Sequence, residues 1–105
     1  MAVQSSYDIG KIDDVIHGRL RLGVMAYLAE SEVASFNELK AVLQVTQGNL
    51  SIQLRKLEDA GYVEIDKSFL NRKPLTRARL TPAGRQAFAD YLDAIGKLVG
   101  GSPSA

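Results

Sequence analysis

The sequence predicts a small, mainly α domain in which three helices are followed by a two-stranded β-hairpin and a long final helix. Three observations predict it. Apolar residues recur at helical spacing in three successive stretches between residues 18 and 60. Two strand-like runs, Tyr62 to Asp66 and Leu75 to Leu80, come next. Thr81-Pro82, an N-cap followed by proline at the first helical position, then opens a pattern that continues to about residue 99.

Residues 1–7 are expected to be a flexible end and 101–105 a flexible tail, which leaves 8–100 as one domain. From Asp8 to Ile16, the residues Ile9, Ile12, Val15 and Ile16 stand at helical spacing and predict a short N-terminal dimerisation helix, which His17-Gly18 interrupts. Leu20, Val24, Tyr27 and Leu28 form an i, i+4, i+7, i+8 stripe and predict a helix over 18–31. Ser31 to Ser35 reads as a connection. Ser35-Phe36-Asn37-Glu38 matches a capping box and opens a second helix over 36–43, with Phe36, Leu39, Val42 and Leu43 inward.

Gln44-Val45-Thr46 is a three-residue joint in which Thr46 caps a third helix over 47–60. Leu50, Leu54 and Leu57 form the buried stripe of that helix, and Gly61 supplies its left-handed C-terminal cap. In the hairpin, Val63 and Ile65 share one face of the first strand. In the second, Thr76, Ala78 and Leu80 share one face and Arg77 and Arg79 the other. Lys67 to Pro74 reads as a tip too long for a two-residue turn.

Composition narrows the function classes. Apolar residues make up 46% and charged residues 24%, an ordinary globular balance that argues against wholesale disorder. No apolar run approaches the ~20 residues needed to span a bilayer, so no membrane partner is expected. The first residues lack a basic start and an apolar stretch, so they do not read as a signal peptide. There is no cysteine, which excludes disulfides and thiolate metal sites and suits a cytoplasmic location. Enzyme readings fail for lack of a nucleophile–base pair, a metal ligand set or a phosphate loop, and no cofactor is expected. Asp13, Asp14 and His17 offer metal-ligand chemistry, but a hydrogen-bonded or capping His17 is preferred.

The net charge of +1 conceals an uneven distribution. Residues 1–45 carry four basic and six acidic side chains, whereas residues 67–85 carry six basic and no acidic ones. A local basic block suits phosphate contact, because binding follows local potential more than total charge; the alternative is a solvated loop.

The most informative segment is 35–61. Two helices joined by a turn of about three residues fit a helix-turn-helix, whose second helix enters the major groove of DNA. Opposite its leucine stripe, the third helix turns out Gly48, Asn49, Ile52, Arg55 and Lys56, with Gln53 at the edge. Small and amide side chains near its start, Thr46-Gln47-Gly48-Asn49, suit base reading, since amides pair with adenine in a bidentate way. Ile52 suits a thymine methyl, against the alternative of an isolated exposed apolar residue. The candidate DNA-reading set is Thr46, Gln47, Gly48, Asn49, Ser51, Ile52, Gln53, Arg55 and Lys56. The hairpin adds Lys67, Arg72, Lys73, Arg77 and Arg79, placed for the phosphate backbone or a flanking minor groove. The fold class is thus a winged helix-turn-helix, with a three-helix core, a hairpin wing and a long dimerisation helix.

Residues 17 to about 92 resemble the winged-helix DNA-binding domain of the MarR/ArsR-like regulators, in particular their small single-domain group. The matching runs are His17 to Leu22, Ser35 to Lys40, Thr46 to Ser51, Leu54 to Val63 and Arg79 to Arg85. The resemblance implies homodimers with the third helix in the major groove, the hairpin as the wing, and repressor-like control in a bacterium or archaeon. One departure is Phe69-Leu70-Asn71 at the wing tip, where relatives often have glycine; Asn71 can itself adopt the left-handed conformation.

In the final helix, Phe88, Tyr91, Ile95 and Leu98 form a seam of heptad type, widened by Leu92 and Val99. With Ile9 and Ile12 this predicts a two-fold homodimer and an inverted-repeat operator. A small effector, if one exists, is expected near Tyr7, Tyr27 and Tyr91. The competing reading is a winged-helix module that binds protein, which would need a contiguous apolar patch around Asn49, Ile52 and Lys56.

Overall fold

The computed structural model describes residues 8–100; the expectations for residues 1–7, Tyr7 included, and for 101–105 lie outside it. A short 3-10 turn, Ile9–Lys11, precedes α1 (Arg19–Ser31), β1 (Val33–Ser35), α2 (Phe36–Leu43), α3 (Gln47–Asp59), β2 (Val63–Leu70), β3 (Lys73–Leu80) and α4 (Pro82–Leu98).

Local chemistry sets the helix boundaries. The Ser35 hydroxyl accepts from the Glu38 amide at 3.0 Å while the Glu38 carboxylate accepts from the Ser35 amide, so the capping box is complete. Gln44 takes a left-handed conformation and ends α2, and the Thr46 hydroxyl accepts from the Asn49 amide to start α3 three residues on. At the far end of α3, Gly61 (φ +82°) closes a Schellman motif: its own amide donates to the Glu58 carbonyl and the Tyr62 amide to the Leu57 carbonyl.

Leu50, Leu54 and Leu57 of α3 are buried against Val24, Met25 and Leu28 of α1, Leu39 of α2 and Ile16. The sheet closes this core. Its strand order is β1-β3-β2, all antiparallel, with Ala78 of central β3 opposite both Ala34 and Ile65. Val63, Ala78 and Leu80 are buried on the inner face. Truncating Leu57, which is fully buried, would cost about 2–5 kcal/mol.

The structure corrects the sequence reading at four places. First, 8–16 is not a helix. The Asp8 carboxylate accepts from the Gly10 amide, and the Asp13 carboxylate from the Val15 and Ile16 amides, giving the backbone an alternative to helical bonding. Second, Val42 is exposed, while Leu39 carries the burial of α2. Third, the connection after α1 contains β1, paired with β3 in the register Val33 to Arg79. Fourth, the hairpin tip is a two-residue turn. The strands stay paired as far as Leu70 and Lys73, and Asn71 and Arg72 both take positive φ (52° and 68°), as a type I′ turn requires.

The helix α4 leaves the sheet at Thr81, whose hydroxyl caps it through the Gly84 amide and also donates to the Gly61 carbonyl at 2.6 Å. The molecule measures 60 × 23 × 23 Å, an elongated shape.

Candidate nucleic-acid interface

The turn Gln44–Thr46 orients α3 so that its leucine stripe faces the core and its opposite side faces out. Thr46, Gln47, Gly48, Asn49, Ser51, Ile52, Arg55 and Lys56 are all exposed, and Gln53 is half-buried at the edge. Ile52 keeps 56% of its surface accessible in the middle of this face. No acidic side chain occurs from Thr46 to Lys56. The first-turn amides of α3 and its dipole add positive potential at the same end. Gly48 carries open space: a Cβ built there meets nothing within 4 Å. Arg55 lies 4.0 Å from Asp59, and both side chains are exposed, so this pair is weak.

The hairpin runs beside α3. A groove between them is lined by Phe36, Ser51, Leu54, Arg55 and Glu58 on one side and Ile65, Lys67 and Thr76 on the other, so Lys67 stands on the side of the sheet that faces α3. At the tip, Arg72 and Lys73 are exposed next to Phe69 and Leu70, which are 74% and 60% accessible. Strand alternation puts Arg77 and Arg79 on the other face, away from buried Ala78 and Leu80. There Arg77 pairs with Asp66 at 3.3 Å. The structure thus brings Lys67, Arg72 and Lys73 toward the α3 side or the tip, and separates Arg77 and Arg79 from them.

On α4, Tyr91 is only 4% exposed, and its hydroxyl meets His17 Nδ1 at 2.8 Å. Tyr91 is therefore occupied within its own chain, which removes it from the expected dimer seam. Phe88 and Ile95 also pack against the core, as does Ile12. Of the expected seam, the apolar side chains left bare are Leu92, Val99 and Ile9, with Leu98 half-buried. His17 is thus hydrogen-bonded, and Asp13 is held by two amides and by the Tyr62 hydroxyl at 2.5 Å. That bond to a carboxylate, followed by partial burial, pushes the Tyr62 phenol up to about 12. Tyr27 donates to Glu38, which raises its phenol pKa as well. Among the described residues no group of three or more His, Asp or Glu side chains is placed to hold a metal, and no helix is long and apolar enough to cross a membrane.

Sequence reasoning missed Arg21. Its guanidinium reaches from α1 to Gln53 on α3, 32 residues away, and no local pattern signals such a contact.

A helix-turn-helix whose second helix is amide-rich, beside a basic hairpin, defines a winged-helix domain of the DNA-binding class. The chain belongs to the winged helix DNA-binding domain family, whose model matches residues 20–99. It is 37% identical over 78 residues to an uncharacterised protein of Methanocaldococcus jannaschii, covering 74% of this chain and 85% of the other. A transcriptional regulator homologue from Pyrococcus horikoshii superposes with a TM-score of 0.81 at 28% identity, over 88% of this chain and 92% of that one. A protein of Enterococcus faecalis described as a MarR-family transcriptional regulator superposes with a TM-score of 0.64 at 26% identity, over 90% and 78% of the two chains. Both of these solved structures are thus described as transcriptional regulators or their homologues, one of them of the MarR family.

Proposed function

We propose that the chain is a sequence-specific regulator that binds double-stranded DNA, acts in the cytoplasm as a homodimer, and represses from an inverted-repeat operator. The observation that carries this reading is the outer face of α3. From Thr46 to Lys56 it is exposed, free of acid and rich in small and amide side chains. A solvated helix face is ordinarily laced with charges of both signs. Gln47, Asn49 and Ile52 read base edges; Thr46, Gly48, Ser51, Gln53, Arg55 and Lys56 line the groove walls. Lys67, Arg72 and Lys73 hold the phosphate backbone. Arg77 and Arg79 are left out of this set, because they stand on the far face of the sheet. The protein-binding alternative needs a contiguous apolar patch, whereas Ile52 is the one large apolar side chain that α3 exposes.

The dimer is supported by bare apolar side chains at Leu92, Val99 and Ile9 on an elongated chain. A two-fold axis there would set two reading helices about 34 Å apart, one turn of DNA. The test is selection of tight binders from a random duplex pool at about 150 mM salt. An inverted repeat is the expected outcome. Recovery of no preferred sequence, with binding lost at that salt, would refute specific recognition.

A further inference from the structure

Three polar side chains form a line from α1 to the exposed face of α3. Arg21 Nη1 donates to Gln53 Oε1 at 2.5 Å, and Gln53 Nε2 donates to Asn49 Oδ1 at 3.1 Å. Arg21 is itself held in place. Its Nε donates to the Val15 carbonyl and its Nη2 reaches the Asp14 carbonyl at 3.5 Å. Gly18 leaves room for this guanidinium: a Cβ there would stand 2.7 Å from Nη2.

The direction of every bond in the line follows from one fact. A guanidinium carries five donors and no acceptor. The Gln53 atom facing Arg21 must therefore be the carbonyl oxygen, which turns the Gln53 NH2 toward Asn49. The Asn49 atom facing that NH2 must in turn be an oxygen. Asn49 is exposed, and its remaining end, the NH2, is the one directed away from Gln53.

We infer that Arg21, which lies outside the proposed DNA contacts, sets the base that Asn49 reads. This rests on the DNA-binding reading above. A free amide matches adenine through one donor and one acceptor. An Asn49 whose oxygen is turned toward Gln53 leads outward with its NH2, and a leading donor matches the N7 and O6 acceptors of guanine. Arg21 is thus a positioning residue acting through Gln53.

The test is selection from a random duplex pool with four proteins: wild type, Asn49→Ala, Arg21→Met and Gln53→Glu. The position where Asn49→Ala alone loses preference marks the base that Asn49 reads. Wild type should favour guanine over adenine there by roughly fivefold, the discrimination expected of about one hydrogen bond. Arg21→Met frees Gln53 to turn over, and adenine should recover to parity. Gln53→Glu is nearly isosteric and keeps the bond to Arg21, but a carboxylate only accepts. Asn49 must then turn its NH2 inward and its oxygen out, and preference should pass to the donor-bearing edges of adenine or cytosine.

If Asn49→Ala marks a position and both other variants keep guanine there, the role of Arg21 is overturned while DNA binding stands. If wild type selects no sequence, the DNA-binding reading fails and this inference fails with it. A readout free of DNA accompanies these. In the NMR spectrum of the protein alone, Arg21→Met should shift the side-chain NH2 resonances of Asn49, and their invariance would overturn the inference.

Discussion

Gly84 stands where α4 passes over the end of the Schellman turn, and a methyl group there has no room. A Cβ built on it lies 2.0 Å from the Tyr62 carbonyl oxygen and 2.8 Å from the carbonyl carbon. An ordinary contact begins at 3.4 Å, so the two backbones must separate by about 1.4 Å. Neither is free to move. Tyr62 is tied to α3 through the Leu57 carbonyl, and its own carbonyl accepts from the Thr81 amide at 3.0 Å. The Thr81 hydroxyl holds the Gly61 carbonyl from the other side.

For Gly84→Ala, overpacking costs about 1–3 kcal/mol, and loosening two hydrogen bonds adds about 1 kcal/mol each. The better helix propensity of alanine offsets just under 1 kcal/mol. The net loss is about 2–4 kcal/mol, or roughly 10–30 °C in Tm for a domain of this size. The assay is thermal melting followed by circular dichroism, at matched protein concentration because a dimer makes Tm concentration-dependent. Gly96→Ala in the same helix is the control. A Cβ there meets nothing within 4 Å, so the change should stabilise by about 0.5–1 kcal/mol. A Gly84→Ala protein that melts within about 2 °C of wild type, or moves upward with Gly96→Ala, would refute the claim that backbone approach dictates glycine at 84.

Gly48→Ala should separate stability from binding. The methyl meets open space in the free protein and should raise stability by about 0.5–1 kcal/mol, yet weaken operator binding in a gel-shift titration; unchanged affinity would mean that α3 does not approach DNA closely at this position. Arg72→Ala and Lys73→Ala should each weaken binding to all sequences and lower the salt slope by about one, and an unchanged slope in both would remove the hairpin tip from the mechanism. Leu92→Glu combined with Val99→Glu should give a monomer in sedimentation equilibrium without lowering Tm at low concentration, since both side chains are exposed in the monomer; a persistent dimer would place the interface elsewhere. In alkaline titration, the Tyr62 phenol should ionise near 12 in place of 10. Its folded pKa lies above the unfolded value, so the Asp13 bond contributes stability that is complete below about pH 10 and lost between about pH 10 and 12. A Tyr62→Phe difference spectrum at the phenolate band checks this, and would contradict it by showing that Tyr62 ionises near its ordinary value.

Much of this protein is readable from local chemistry. Ser35 and Glu38 belong to a single turn, Thr46 caps its own helix, and Leu50, Leu54 and Leu57 share one face wherever α3 lies, so none of these needs a distant partner. The same periodicity determined which residues of α3 face out, and so most of the candidate site. Local pattern also misled where short polar groups compete with the helix: Asp8 and Asp13 broke 8–16 by bonding its amides, and Asn71 and Arg72 closed the hairpin in two residues by accepting positive φ.

What only the tertiary structure decided depends on contacts between residues far apart in sequence. β1 is three residues long and exists because β3 offers it a free edge. The heptad-like spacing of α4 is the same whether Tyr91 faces a partner or its own core, and packing against His17 settled that it faces inward. Gly84 carries no signal by itself, because the Tyr62 carbonyl that excludes a side chain arrives from another element. Arg21 reads as one more surface cation until α1 and α3 are packed together. Its guanidinium then acts on Gln53 over 32 residues of sequence, a relation that hydrogen-bond geometry creates and no linear spacing encodes.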